Sequence, residues 1–184
     1  MKFFWKGLLY FLGWDLKVTF PHHHLPKYLI IVGPHTSGWD FIIGLAYRNI
    51  LNLNKVKFLG KKELFQPPHG FLFRWLGGRP VDRGQPHHVV DEVVAMFNNH
   101  DQFYLALSPE GTRKKVDHLR SGFYYVALQS EVPIIMVGLD FWNKTILISK
   151  PIMVTGDQKK DLESILAFFR TIKGKIPENG LMHL

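Results

Sequence analysis

A histidine and an aspartate stand close together in the run PHTSGWD, and they are the side chains of this sequence best suited to acid–base chemistry. His35 and Asp40 follow a short apolar stretch, at the boundary between a loop and a predicted helix. If Ser37 caps that helix, Asp40 is its third residue, and its side chain turns back toward the residues before the helix. Asp40 then accepts a hydrogen bond from one ring nitrogen of His35, and the other nitrogen can take a proton from a substrate hydroxyl. The spacing therefore predicts a general base and its orienting carboxylate.

The same run also has a purely structural interpretation. In it, Ser37 and Asp40 form a helix-capping pair and His35 is an ordinary loop residue. The chain contains no cysteine, which excludes thiolate catalysis and metal sites with cysteine ligands. No serine or cysteine nucleophile with a signature of its own accompanies His35. A catalytic His35 would therefore favour direct attack by a substrate hydroxyl over a covalent enzyme intermediate.

A second polar run, SPEGTRKK, begins directly after another apolar stretch. A carboxylate, a flexible glycine, a hydroxyl and three successive cations at a strand end are suited to holding an oxyanion or a phosphate group. The candidate residues are Glu110, Gly111, Thr112 and Arg113. Arg113 can bind a phosphate through two parallel hydrogen bonds, with Glu110 orienting its guanidinium group. The alternative is an ordinary turn whose cations face solvent.

Two further predicted strands are also followed by cations. Lys61 stands in the run GKKE after one strand, and Arg83 stands in DRG after the next. Ligands of open parallel sheets bind beyond the carboxyl ends of the strands, so residues placed there are expected to share one site. Together with His35, these cations predict a site that holds an anionic, phosphate-bearing substrate beside a general base.

Apolar runs and helical periodicities alternate along the chain. Strands are predicted over residues 28–33, 56–59, 79–81, 103–107, 133–139 and 145–149, and helices over 38–51, 71–76, 86–97, 119–129 and 161–173. No stretch of the 184 residues has the composition of a linker, and 46% apolar residues are ample for a core. The alternation predicts one α/β domain over residues 1–184, with a layered, largely parallel central sheet and flanking helices.

The first twenty residues are rich in phenylalanine, tryptophan and leucine but carry interspersed charges. The apolar stretch is too interrupted to span a bilayer. On a helix, Lys2, Lys6 and Lys17 form one narrow stripe while aromatic and leucine side chains cover the rest. This pattern predicts an amphipathic helix over residues 1–20 that lies in a membrane interface, on the cytoplasmic face, with its lysines toward anionic headgroups. The alternative is a first helix that packs on the core.

The net charge of +8 and the pI near 9.7 indicate attraction to polyanions such as an anionic membrane, a phosphorylated substrate or a nucleic acid. No aromatic signature of RNA recognition and no nucleic-acid motif is present, so we expect no nucleic acid partner, although a basic binding module remains the alternative to an enzyme. Histidine clusters at 22–24 and 87–88 lack a carboxylate at ligand spacing, so we expect no metal site.

Four blocks in this order resemble the lysophosphatidic acid acyltransferase family, which includes glycerol-3-phosphate and other lysophospholipid acyltransferases. The blocks are PHTSGWD around His35, GGRPVDR ending at Arg83, SPEGTR ending at Arg113, and VPIIMV over residues 132–137. The resemblance covers about residues 28–140. The first and third blocks carry most of its specificity. Family members usually place asparagine where this chain has Pro34, and a second proline where it has Met136.

The resemblance implies a glycerol-3-phosphate acyltransferase-like fold and a transfer of acyl groups. It implies that His35 is the base and Asp40 its partner, and that a site for the acceptor phosphate is shaped by Arg83, Glu110, Gly111, Thr112 and Arg113, with Lys61 in the family's basic segment. The implied donor is acyl-CoA or acyl carrier protein, and no cofactor is needed. The implied acceptor is a phosphorylated lipid, most simply 1-acylglycerol-3-phosphate, and a different lipid acceptor such as an amino-acid-derived lipid is the alternative.

Overall fold

The structure is a computed structural model that describes residues 2–15, 20, 24–81 and 86–184. In chain order its helices and strands are α1 (Lys2–Phe11), β1 (Lys27–Gly33), α2 (Trp39–Ile50), β2 (Lys57–Lys61), α3 (Gly70–Trp75), β3 (Gly78–Val81), α4 (Pro86–Asn98), β4 (Phe103–Leu107), α5 (Gly122–Gln129), β5 (Ile134–Asp140), β6 (Thr145–Ile148) and α6 (Gln158–Phe169). Two short 3-10 helices cover Lys62–Phe65 and Pro177–Asn179. Arg83 and the histidines at positions 22 and 23 lie outside the described residues.

The strands form one six-stranded sheet in the order β3-β2-β4-β1-β5-β6. The first five strands of this order run parallel, and β6 pairs antiparallel with β5. The predicted α/β class, with a largely parallel sheet and flanking helices, is therefore confirmed. β1 lies in the middle of the sheet and is buried along most of its length, as its unbroken apolar run predicts.

Alternate residues of the central strands enter two separate cores, one on each face of the sheet. Tyr28 and Ile30 of β1 belong to the core under α1 and α2, whereas Leu29 and Ile31 belong to the core under α4, α5 and α6. This follows from the two-residue repeat of a strand, which sends neighbouring side chains to opposite faces. The helices on each face hold the sheet rigid, so the loops that leave its carboxyl edge have fixed starting points.

The N-terminal helix is shorter than predicted, and it both packs on the core and exposes apolar surface. α1 ends at Phe11, and Gly13 follows it with a positive φ of 75°, a conformation that commonly ends a helix. Leu9 is fully buried in the core under α2. On the opposite side, Phe3 and Phe11 are each 88% exposed. Within the described part of the chain, no helix combines the length and apolar character needed to cross a membrane.

The strand order explains how distant parts of the sequence meet. β2, β4 and β1 are neighbours, and because all three are parallel their carboxyl ends lie at the same edge. Lys61 ends β2, Ser108 follows β4, and Pro34 follows β1. The polar runs at these strand ends are therefore adjacent in space, although they are spread over about half of the chain.

Candidate active site

His35 and Asp40 form a hydrogen-bonded pair at the carboxyl edge of the sheet. The distance from His35 Nδ1 to Asp40 Oδ2 is 3.0 Å. The His35 side chain is 27% exposed and that of Asp40 only 3%. Among the described residues, the other ring nitrogen, Nε2, has no hydrogen-bond partner. This is the arrangement of a base whose orientation is fixed by a buried carboxylate while one nitrogen is left for a substrate proton.

Asp40 is itself held by the backbone of the loop before α2. Its Oδ2 accepts hydrogen bonds from the backbone N–H groups of Thr36 at 2.7 Å and Ser37 at 2.8 Å, in addition to the one from His35. The helix begins at Trp39 with Gly38 as its N-cap, one residue later than the sequence predicted. The side chain still turns back over the helix start, because the unpaired N–H groups there need an acceptor. The predicted contact between Asp40 and His35 follows from this local geometry.

Glu110 positions the backbone of His35 rather than the guanidinium group of Arg113. The His35 backbone N–H donates to both carboxylate oxygens of Glu110, at 3.0 Å and 2.8 Å. Ser108 Oγ adds a third hydrogen bond to this carboxylate at 3.2 Å. No ion pair joins Glu110 and Arg113 in the described ranges. The second polar run is thus tied directly to the first, and Glu110 holds the loop of His35 in place.

Burial raises the pKa of Glu110 from 4.5 to about 7. The loss of hydration is the largest cause and the nearby negative charge of Asp40 adds to it, whereas the hydrogen bonds from His35 and Ser108 oppose it. Asp40 and Glu110 both lie beneath His35, so two carboxyl groups share one buried region. This arrangement favours a proton on Glu110 near neutral pH.

The raised pKa predicts a pH-dependent difference in stability between the wild type and Glu110→Gln. Between pH 4.5 and about 7, the folded state keeps a proton on Glu110 that the unfolded chain has lost, so the wild type loses stability as the pH rises through this window. The glutamine variant has no such proton. The difference in unfolding free energy, variant minus wild type, should therefore increase by about 3 kcal/mol as the pH rises across the window. Chemical denaturation at several pH values measures it. Parallel stability curves would contradict the raised pKa.

The described cations predicted at the strand ends lie along the cavity that contains His35. Arg113 lies over the start of α2, where its Nη1 is 3.7 Å from the position that a Cβ on Gly38 would take. Lys61, Thr112 and Arg113 line the same cavity as His35, and Gly111 adopts a positive φ of 65° at the turn between them. Arg83 falls in the part of the chain that the structure does not describe. The predicted site residues that are described therefore converge on one place.

A cavity of about 660 Å³ opens beside His35 and extends under α2. Its polar end holds His35, Asp40, Lys61 and the 111–114 turn. Its deeper part is lined by apolar side chains that include Ile30, Val32, Phe41, Leu45, Leu51 and Ile146. A volume of this size lies within the range of small-molecule sites, and a largely apolar lining with polar groups beside His35 suits an amphipathic substrate. Several side chains of α2 line the cavity, whereas of α3 only Phe73 does so.

Sequence reasoning missed the C-terminal segment that supports the loop of His35. The backbone N–H of Ile176 donates to the hydroxyl of the buried Thr36 at 3.1 Å. Gly174 passes so close to Thr36 that an added Cβ would lie 2.8 Å from its hydroxyl oxygen. The chain returns from α6 to the loop of His35, about 140 residues away in sequence. No local pattern in the sequence marks such a contact.

A histidine paired with a buried carboxylate at the carboxyl edge of a parallel α/β sheet, beside a largely apolar cavity, is suited to activating a hydroxyl group of an apolar substrate. The comparison with protein families makes the class specific. The family model described as Acyltransferase matches residues 16–140, which is more than half of the chain. The chain therefore belongs to the acyltransferase family and is an acyltransferase.

The fold is similar to that of a solved acyltransferase. The crystal structure of the 1-acyl-sn-glycerophosphate acyltransferase PlsC from Thermotoga maritima superposes with a TM-score of 0.58, at 17% sequence identity. The alignment covers 89% of this chain and 74% of that chain. At this identity the likeness establishes a common fold. A search of curated protein sequences finds no significant match.

Proposed function

We propose that this acyltransferase moves a fatty acyl group from a thioester carrier, acyl-CoA or acyl carrier protein, to a hydroxyl of a lysophospholipid. The favoured acceptor is 1-acylglycerol-3-phosphate, and the reaction belongs to phospholipid biosynthesis. The observation that carries the proposal is that the His35–Asp40 pair lines one cavity together with the cations Lys61 and Arg113 and many apolar side chains. This arrangement suits a substrate that joins a phosphate group to a hydrocarbon chain.

In the proposed reaction, Nε2 of His35 accepts the proton of the acceptor hydroxyl as its oxygen attacks the thioester carbonyl carbon. Asp40, bonded to Nδ1, stabilises the imidazolium ion that forms. Collapse of the tetrahedral intermediate breaks the bond between carbon and sulfur, and the proton on Nε2 passes to the leaving thiolate. The two substrates supply all the atoms, so no cofactor is required. Buried hydrogen bonds to Asp40 and Glu110 keep the histidine oriented throughout.

The phosphate of the acceptor is proposed to bind at Arg113, with Lys61, Thr112, Gly111 and Arg83 completing the site. The guanidinium group of Arg113 is exposed at the mouth of the cavity, close to the start of α2. A helix start favours anions because its free N–H groups point outward, so an arginine at this position adds a second attraction for phosphate. Glu110 contributes to the site indirectly, because it holds the backbone of His35 in position.

Comparing acceptors tests this assignment. Purified protein is supplied with a long-chain acyl-CoA and with lysophosphatidate, monoacylglycerol or an amino-acid-derived lysolipid, and diacyl product is measured by mass spectrometry. We expect kcat/KM for lysophosphatidate to exceed that for monoacylglycerol by at least about tenfold, since a charge-assisted phosphate contact contributes about 1.5–3 kcal/mol. Faster use of the amino-acid-derived lipid would contradict phosphate recognition and identify the other acceptor class.

The acyl chain of the donor is proposed to occupy the apolar part of the cavity. Gly44 of α2 lines this part, and a Cβ added there would meet no atom within 4 Å. Gly44→Phe should fill the space and reduce kcat/KM for long acyl chains at least about tenfold relative to short ones, because each displaced methylene forfeits about 0.8 kcal/mol. Thiol release from acyl-CoAs of increasing length measures this ratio.

Gly44→Ala is the matched control for the larger side chain. It leaves the cavity open and should keep the wild-type preference for chain length, while raising helix stability by about 0.8–1 kcal/mol. If Gly44→Phe lowers kcat/KM equally for short and long acyl chains, the acyl chain binds elsewhere.

We further propose that the enzyme works as a peripheral protein on the cytoplasmic face of a membrane, docked through α1. One face of this helix presents Phe3, Phe4, Tyr10 and Phe11, all strongly exposed, while the opposite face packs on the core through Leu9. Exposed aromatic residues on one side of an anchored helix are typical of interfacial docking, and the exposed Lys6 can face anionic headgroups, whereas Lys2 donates to Asn52 Oδ1 at 3.3 Å. This would bring the cavity close to its lipid substrates.

A further inference from the structure

Helix α3 exposes a second aromatic surface, separate from α1. Phe71 is 74% exposed and Trp75 is 68% exposed, and Leu72 lies partly exposed beside them. The other side of the helix carries Phe73, whose ring lies 6.0 Å from that of Phe41 and 6.1 Å from that of Phe65. Phe73 also lines the cavity. α3 therefore forms a wall of the cavity and turns two large aromatic side chains outward.

A basic cleft lies against the carboxyl end of this helix. Lys57, Arg74 and Arg79 line a hollow of about 180 Å³ together with backbone around Gly77 and Gly78. None of these three cations pairs with a carboxylate among the residues that the structure describes. Arg74 is held in place because it donates to the backbone carbonyl of Phe65 at 2.7 Å and lies over the Phe65 ring. The cleft therefore concentrates positive charge that no described acidic residue neutralises.

The exposed rings and the cleft occupy adjacent positions. Arg74 directly precedes Trp75, and Phe71 lies one turn before Trp75 on the same helix. Large apolar side chains beside cations that have no described carboxylate partner match the layering of a bilayer surface, where phosphate groups lie above the first part of the acyl chains. A protein partner would need an acidic surface and an apolar surface in the same layered order. An anionic bilayer has this order over its whole surface.

We propose that α3 and the cleft of Lys57, Arg74 and Arg79 form a second docking surface for an anionic phospholipid bilayer. Phe71 and Trp75 enter the boundary between headgroups and acyl chains, and the cleft binds the phosphate of a headgroup. The surface is distinct from α1 and adjoins the cavity beside His35, because Lys57 lines both the cleft and that cavity. The inference rests on the proposed function only in that the enzyme acts at a membrane. It places the wall of the cavity, and not only the N-terminal helix, against the lipid.

The test uses the full chain and two double variants in vesicle flotation. Phe71→Ser with Trp75→Ser removes the aromatic contact, and Arg74→Gln with Arg79→Gln removes two charges. Vesicles contain phosphatidylcholine with or without phosphatidylglycerol. We expect the partition coefficient of the charge variant onto the anionic vesicles to fall about 25-fold, at about fivefold for each charge removed. The partition coefficient of the aromatic variant should fall at least about tenfold.

Matched control variants change the same chemistry on the opposite face of the sheet. Lys159→Gln with Lys160→Gln on α6 removes two exposed charges, and Met153→Ser with Met182→Ser removes two exposed apolar side chains. Both controls should bind vesicles within about twofold of the wild type. Circular dichroism verifies that every variant is folded. Wild-type binding by either α3 variant, or an equal loss in its control, overturns the proposal.

A separate assay distinguishes failure of this inference from failure of the proposed function. Acyl transfer to lysophosphatidate dispersed in detergent micelles requires no bilayer, so the α3 variants should retain wild-type turnover there. Loss of vesicle binding with turnover kept in micelles supports the docking surface. Absence of turnover in the wild type would contradict the proposed function, whereas the flotation result would still decide the docking surface.

Discussion

Replacing His35 with alanine is expected to lower kcat by about three to four orders of magnitude while leaving the protein folded. General base catalysis by a positioned side chain contributes about 10²–10⁴-fold, and no other described histidine shares a carboxylate partner in the cavity. The His35 ring faces the cavity and, among the described residues, hydrogen-bonds only to Asp40, so its removal disturbs little packing. Steady-state thiol release measures kcat, and circular dichroism verifies the fold.

An exposed histidine provides the matched control for this substitution. His88 lies on α4, on the face of the sheet opposite α2, and is exposed. His88→Ala should keep wild-type turnover. A His35→Ala protein that is folded and retains more than about a tenth of wild-type kcat would contradict the assignment of His35 as the base.

Asp40→Asn is expected to lower kcat by about three orders of magnitude. The amide oxygen can still accept from the backbone N–H groups of Thr36 and Ser37, so the loop should keep its shape. The negative charge that stabilises the imidazolium ion is lost, and the amide can impose the wrong tautomer on His35. The same thiol-release assay measures the effect, with KM for lysophosphatidate expected to change little because Asp40 is buried beneath the histidine.

The double variant separates a shared role from two independent ones. Because Asp40 is proposed to act through His35, the protein that carries both His35→Ala and Asp40→Asn should be no slower than His35→Ala alone. If kcat of the double variant falls by the product of the two single reductions, Asp40 contributes to catalysis by another route. Equal stability of the three variants in chemical denaturation would exclude unfolding as the cause.

The sequence was most informative where a motif and a strand end coincide. The alternation of apolar runs and helices predicted a parallel sheet, and a parallel sheet brings its carboxyl strand ends together. This reasoning was enough to predict that His35, Lys61 and Arg113 share one site. The strand order β2-β4-β1 in the structure then accounts for their lining the same cavity. The contact between Asp40 and His35 was predictable because a helix start needs an acceptor for its free N–H groups.

Other features depend on contacts between distant segments, which local patterns do not encode. Glu110 was assigned to Arg113, its near neighbour in sequence, but its partner in the structure is the backbone of His35, in the loop that follows the adjacent strand β1. The support of Thr36 by Ile176 was likewise not predicted. For α1, the sequence left two alternatives, a membrane face or a core face. The structure shows a buried face with Leu9 and an exposed aromatic face, and the exposed face is the basis of the docking proposal.

The central claim is that this chain passes an acyl group directly from a thioester to a lysophospholipid. The most direct test incubates purified wild-type protein with a long-chain acyl-CoA or the corresponding acyl carrier protein, and measures thiol release and phosphatidate together, with and without lysophosphatidate. We predict that thiol appears only when the acceptor is present and in a one-to-one ratio with phosphatidate. Absence of phosphatidate with both donors, or thiol release that does not depend on the acceptor, would contradict the proposed function.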